Sequence, residues 1–197
     1  VDGAGRIEAQ GDVSSVFESE QADKGANDGL FRQNEPVYAT AARMQSDSES
    51  GLVVYEGEAR LWQGRNRIQA DVIRIDRQRR ILQAEGKVVS LLEEVREGAA
   101  EPSMVKVVAQ SMEYQEDQRL ATYTGAVRLE RTDLRVFADE LVARLHPADA
   151  EGAAGLESAQ AEGGVRIEET TGARRAEAHT ADLADDQQTV VLRGDPA

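Results

Sequence analysis

Apolar side chains recur at every second position through most of this chain, but the alternation changes phase at certain points. In the stretch IQADVIRID, residues 68–76, Ile68 and Ala70 fall on even positions, whereas Ile73 and Ile75 fall on odd ones. A flat strand turns every second side chain to the same face, so period-two alternation predicts strands. A slip of one residue predicts a β-bulge or a sheet corner that bends the strand while its apolar side chains stay inward.

The same slip occurs five times and marks an internal repeat. The shared pattern is an alanine, two residues, an apolar residue, one residue and a second apolar residue. The copies are Ala39-x-x-Ala42-x-Met44, Ala70-x-x-Ile73-x-Ile75, Ala109-x-x-Met112-x-Tyr114, Ala138-x-x-Leu141-x-Ala143 and Ala178-x-x-Ala181-x-Leu183. Their first alanines are 31, 39, 29 and 40 residues apart, so alternate copies lie 70, 68 and 69 residues apart. Such regular spacing indicates one structural unit repeated along the chain.

A glycine marks a second fixed point in every unit. An apolar residue, one further residue and glycine follow each copy, ending at Gly57, Gly86, Gly125, Gly163 and Gly194, and a sixth step ends at Gly11. Glycine permits a bend or a close approach of two backbones. Each unit is therefore predicted to be a strand with a bend, a polar turn such as residues 76–80, 115–118 or 184–188, and a return strand. About five such strand-turn-strand units predict an elongated all-β body with a corner along its length.

Three segments lack the repeat pattern, near residues 18–36, 93–103 and 146–155. Their polar and small residues predict loops or lengthened turns, with a helix within 90–97 or 146–155 as an alternative. Because the repeat continues across all three, we expect residues 1–197 to form a single domain.

Composition narrows the classes of function. The net charge of −14 disfavours nucleic-acid binding, which depends on Lys and Arg neutralising phosphates. The chain has no cysteine, which excludes disulfides and thiol catalysis, and it contains no apolar run long enough for a transmembrane segment. Since it begins at Val1 without a signal-like segment, we expect it to be a processed or excised piece of a longer product.

Residues with catalytic or metal-binding chemistry are sparse and scattered. The two histidines, His146 and His179, show no metal-ligand spacing, and no nucleophile motif or phosphate loop is present. Asp71 and Asp139 each follow a repeat alanine and could stack along the corner. The equivalent positions elsewhere are not acidic, so outward-facing polar residues at a bend explain them better. We predict no catalytic residues, no metal site and no cofactor.

Two surface features leave alternatives open. Trp62 is predicted to face away from Leu61, where it would serve either as a carbohydrate or partner platform or as cover for a neighbouring turn. The basic turn containing Arg77, Arg79 and Arg80 is interpreted as a solvated tip, with contact to a phosphate or an acidic partner as its functional alternative.

The repeat units resemble the OstA-like domains of periplasmic lipopolysaccharide transport, namely LptA, the periplasmic part of LptC and the N-terminal domain of LptD. The similarity covers residues 37–196 and extends more loosely to Gly11. It is carried by YEGEARL at 55–61, IQADVIRID at 68–76, LQAEGKV at 82–88, YTGAVRL at 123–129, VFADEL at 136–141 and the closing TVVLRGDP at 189–196.

The resemblance implies an open β-jellyroll, shaped like a taco shell, that holds lipid A acyl chains between its walls in the periplasm. It further implies end-to-end docking of homologous domains of the LptA, LptC and LptD type into a bridge between the inner and outer membranes, without catalysis. The residues predicted to line the lipid groove are Leu61, Ile68, Ile73, Ile75, Leu82, Val127, Leu129, Leu134, Val136, Leu141, Val165 and Ile167. Two alternatives remain: a structural or protein-interaction β-solenoid with a closed core, and a polysaccharide-acting β-helix enzyme.

Overall fold

The structure is a computed structural model that describes residues 5–18, 30–31, 35–95, 101–147, 155–170, 174–183 and 189–194. These residues form eleven strands and one short 3₁₀ helix. The strands are β1 (Arg6–Glu18), β2 (Pro36–Asp47), β3 (Leu52–Gln63), β4 (Asn66–Asp76), β5 (Ile81–Glu94), β6 (Ser103–Gln115), β7 (Leu120–Glu130), β8 (Leu134–Leu145), β9 (Leu156–Glu169), β10 (Arg175–Leu183) and β11 (Val190–Arg193). The 3₁₀ helix, Glu116–Gln118, lies within the turn predicted at 115–118.

All eleven strands belong to one antiparallel sheet whose spatial order follows the chain order from β1 to β11. Each strand pairs with its predecessor and its successor, so β1 and β11 are the two edges of an open sheet. The predicted all-β class and open architecture are thereby confirmed. The helical alternative at 90–97 is wrong for residues 90–94, which extend β5; the predicted loop centres at 19–29, 96–100 and 148–154 and the predicted turn at 184–188 lie outside the described residues.

The predicted corner is present in every pair of long strands as a shift of register. Between β3 and β4, for example, the pairing jumps from Glu56 and Val72 to Ala59 and Ala70. The residues skipped are the Gly57-Glu58 step on one strand and Asp71 on the other. Equivalent shifts interrupt the other pairs from β1 to β10, so the sheet folds along one crease across these ten strands.

Glycine is required at the crease because the backbone is left-handed there and a neighbouring strand lies close. Gly57 has φ 81°, and an added Cβ would lie 2.8 Å from the Cβ of Ala42. At Gly86 the added atom would lie 2.5 Å from the Asp71 carboxylate. The same contact recurs between Gly125 and Gln110, Gly163 and Asp139, and Gly194 and His179.

These contacts correct the first copy of the repeat. The sequence pattern placed its alanine at Ala39, but Gly57 faces Ala42, and the register of β2 shifts between Thr40 and Arg43. The equivalent of Ala70 is therefore Ala41, which makes the spacings 29, 39, 29 and 40 residues. The prediction was wrong because small residues occupy positions 39, 41 and 42, so the apolar pattern alone did not distinguish between two frames.

The crease divides the sheet into two walls. The first wall contains the strand halves before each crease glycine and after each crease alanine, such as 52–56, 72–76 and 81–85. The second wall contains the other halves, such as 59–63, 66–70 and 88–94. Buried apolar side chains from both walls form one continuous hydrophobic cluster between them. The core is therefore a narrow layer enclosed by the folded sheet.

Candidate functional site

The interior between the two walls is the candidate site, and all twelve predicted groove residues face it. Eleven are buried, with exposed fractions from 0% to 9%. Ile75 is partly buried and packs against the same cluster near the end of β4. Ile73, Ile75, Leu82 and Leu141 belong to the first wall, and the other eight belong to the second. The strand alternation thus identified the inward face correctly on both sides of the crease.

Three tyrosines in this interior come from the first wall: Tyr55, Tyr114 and Tyr123, all at most 4% exposed. The sequence pattern includes them as positions of the repeat, and they were not among the predicted groove residues. Burial raises the pKa of Tyr123 to about 12, and the nearby Ser90 hydroxyl of the second wall offsets only part of that effect. Tyr123 is therefore a neutral phenol at physiological pH, and it places a polar atom deep in an apolar layer.

Two contacts join β1 to the first wall, one close to the crease and one at the free ends of the walls. Tyr55 of the first wall and Ser15 of β1 share a hydrogen bond of 2.8 Å between their hydroxyls. The Arg77 guanidinium lies 5.8 Å from the centre of the Phe17 ring, which is within the range of a cation–π contact. β1 is an edge strand, so these two contacts hold an edge of the second wall against the first.

Leu30 bridges the two walls between β1 and β2. Its side chain belongs to the central apolar cluster, and the residue is only 1% exposed. Its backbone N–H donates to the Tyr114 hydroxyl of the first wall at 3.2 Å, and its carbonyl accepts from the Asn66 amide of the second wall at 2.8 Å. No sequence pattern indicated this contact, because Leu30 lies in a segment predicted only as a loop.

The interior also contains charged groups near the end of the second wall. The Arg131 side chain, 1% exposed, forms a two-pronged ion pair with Asp133, with both N–O distances 3.1 Å. Glu94 is 1% exposed and accepts a hydrogen bond of 3.2 Å from Ser103. These residues limit the purely apolar surface at that end of the layer.

The other candidate residues lie on the outer surface, where their structural contacts account for them. Asp71, Asp139 and His179 are exposed at the crease opposite glycines. Trp62 stacks on Tyr38, with ring centres 5.6 Å apart and an angle of 16° between the planes. Trp62 therefore covers an aromatic side chain on the adjacent strand.

The basic turn is engaged with carboxylates of its own chain. Arg80 pairs with Glu116 at 2.7 Å and with Asp117 at 3.1 Å, and Arg79 lies 3.7 Å from Asp76. Among the residues that the structure describes, no group of three His, Asp or Glu side chains is arranged to hold a metal ion. The described residues also include no helix long and apolar enough to cross a membrane.

Comparison with known proteins identifies the family to which this chain is related. The profile described as LptA/(LptD N-terminal domain) LPS transport protein matches residues 5–81 and 106–197. The crystal structure of LptH, the LptA homologous periplasmic component of the lipopolysaccharide transport device from Pseudomonas aeruginosa, is similar at 13% identity and a TM-score of 0.49. That alignment covers 55% of this chain and 76% of LptH. No curated protein matches the chain at a significant level. Since the family profile spans most of the sequence, this chain belongs to the family of lipopolysaccharide-transport proteins that comprises LptA and the N-terminal domain of LptD.

Proposed function

We propose that this protein is a non-enzymatic periplasmic lipid-binding component that carries or bridges lipopolysaccharide between the inner and outer membranes. The observation that carries the proposal is the continuous apolar layer between two walls whose described strands run from one wall to the other through a crease, in a chain of the lipopolysaccharide-transport family. The two walls are continuous with each other through the crease. They can therefore move apart at their free ends while the backbone hydrogen bonds between neighbouring strands stay intact. Acyl chains would then replace contacts between the walls.

The energetics favour acyl chains as the ligand. Removing one CH₂ group from water contributes about 0.8 kcal/mol, so a few chains bind tightly to an apolar surface without specific polar contacts. The interior provides such a surface through aliphatic side chains of both walls, among them Leu61, Ile73 and Leu129. The head-group would project into solvent, away from the acidic exterior.

The edges of the sheet support end-to-end docking with homologous domains of the LptA, LptC and LptD type. β1 exposes Ile7 at 59% and Val16 at 58%, and β11 exposes Val191 and Leu192 at 40% and 38%. An unpaired strand edge with apolar side chains accepts a neighbour's strand by β-augmentation. We further propose that residues 1–197 act as one OstA-like domain, since a single sheet runs from β1 to β11.

A closed structural core is the second candidate, and the tight packing of the interior favours it. Leu61, Ile68 and Ile73 are each 0% exposed, so lipid has no access unless the walls separate. The two candidates differ in one respect: transport requires the walls to open in the presence of lipid, whereas a structural core stays closed.

Site-specific photocrosslinking to purified lipopolysaccharide distinguishes them. A photoreactive residue at Leu61, Ile73 or Leu129 should form adducts, whereas one at Arg74, which faces outward on β4, should not. Adducts at none of the three interior positions would refute lipid binding and support the closed core.

A further inference from the structure

The backbone and side chain of Leu30 occupy a position that crosses the gap between the free ends of the walls. Tyr114 belongs to the first wall and Asn66 to the second, and each makes a hydrogen bond to Leu30. The contacts join residues 84 and 36 positions apart in the sequence, so they form only in the folded sheet. Leu30 therefore connects the two surfaces that must separate for lipid to enter.

Neighbouring residues contact the apolar cluster and the second wall. Phe31 packs against the apolar cluster, and the Gln63 amide donates to the Glu35 carbonyl at 2.9 Å. The Asn66 side chain is itself fixed, because its Oδ1 accepts from the Glu93 N–H at 2.8 Å. The donor that meets the Leu30 carbonyl is consequently held in place by β5 and does not depend on Leu30.

The chemistry of this position matches that of an acyl chain with a carbonyl at its head. The aliphatic side chain of Leu30 enters the apolar layer while its carbonyl accepts from an oriented amide donor at the rim. A fatty-acyl ester or amide presents the same pair of groups, an aliphatic chain next to a carbonyl oxygen. If Leu30 leaves, the partly buried Asn66 amide loses its hydrogen-bond acceptor. Leaving a buried donor without an acceptor costs free energy, so a second carbonyl oxygen at this position is favoured.

Resting on the proposed function, we propose that Leu30 occupies an acyl-chain entrance between Tyr114 and Asn66, and that a lipid acyl group displaces it. The Asn66 amide then donates to the acyl carbonyl, and the hydrocarbon chain follows the path of the Leu30 side chain between the walls. Leu30 is in this sense an internal competitor that keeps the interior closed until lipid is present.

Two variants test the competition. Leu30→Ala removes most of the competing apolar group, so its affinity for purified lipopolysaccharide should rise at least threefold over wild type in a fluorescence-displacement titration. The matched control is Leu91→Ala, a leucine on the outer side of β5, which should leave the affinity unchanged. Equal affinities for wild type and Leu30→Ala would overturn the proposal, as would weaker binding by Leu30→Ala.

Thiol accessibility provides a second measurement, since the chain has no cysteine of its own. The thiol introduced by Leu30→Cys should react slowly with a water-soluble reagent and at least tenfold faster with lipopolysaccharide bound. The thiol introduced by Ile73→Cys should be slow in both states, because lipid replaces the opposite wall as its cover. Lipid binding without faster reaction at position 30 overturns the displacement but leaves the proposed function intact. If no variant binds lipid, both the displacement and the proposed function are overturned. Slow reaction of the thiol at position 30 would then show only that this position is buried in the closed structure.

Discussion

The contact between Gly57 and Ala42 gives a direct test of how the crease is built. In Gly57→Ala the new Cβ would lie 2.8 Å from the Ala42 Cβ, closer than two carbon atoms approach without repulsion, on a backbone with φ 81°. The left-handed backbone alone costs a non-glycine residue about 1–2 kcal/mol. The steric contact adds to this cost, so we expect a total loss of about 2–4 kcal/mol in the free energy of unfolding.

A double-mutant cycle separates the two contributions. Ala42→Gly removes the atom that is 2.8 Å away and leaves the nearest Ala42 backbone atoms 3.8 Å from the new Cβ. By itself it should cost about 0.5–1 kcal/mol through backbone entropy. The combined variant should therefore be more stable than the sum of the two single losses predicts, by about 1 kcal/mol or more.

Urea unfolding followed by circular dichroism gives each free energy by linear extrapolation. Gly11→Ala is a useful control, because Gly11 also has a positive φ, 91°, but an added Cβ there meets nothing within 4 Å. It should show only the conformational cost. Strict additivity in the cycle, or a loss for Gly57→Ala no larger than that for Gly11→Ala, would refute the close approach at the crease.

Two further predictions concern the interior. Leu61→Ala should lower the free energy of unfolding by about 2–5 kcal/mol, because it leaves a cavity at a fully buried position. Leu91→Ala, on the outer side of β5, should cost less than about 1 kcal/mol. Equal losses for the two variants in urea unfolding would contradict the two-wall core. The raised pKa of Tyr123, about 12 against 10.0 for an exposed phenol, means that the folded state resists ionisation. The stability due to the neutral phenol is fully present below pH 10 and is lost as the pH rises towards 12, by about 1.4 kcal/mol at pH 11. Tyr123→Phe should lack this component, so identical losses between pH 9 and 11 in variant and wild type would refute the assignment.

Local patterns determined much of this structure because a strand has a fixed period of two. Ile68, Ala70, Ile73 and Ile75 identified both the inward face and the point at which the strand bends. Glycine at position 86 marked the matching bend on the neighbouring strand, since the backbone there has φ 77° and an added Cβ would lie 2.5 Å from the Asp71 carboxylate. These signals come from residues close together in the sequence, and they predicted the strands, the crease and the inward-facing set.

The way in which the walls meet depends on contacts that form only in the folded sheet. The frame of the first repeat was ambiguous in a run of small residues, and the contact of Gly57 with Ala42 resolved it in favour of Ala41. The hydrogen bond from Leu30 to Tyr114 joins residues 84 positions apart, and no periodicity links a leucine in an irregular segment with a tyrosine on a distant strand. The inward-facing side chains could be identified from the sequence, because alternation is a local property of each strand. The closure of the interior was decided by the folded sheet, because it depends on contacts between residues that only the crease brings together.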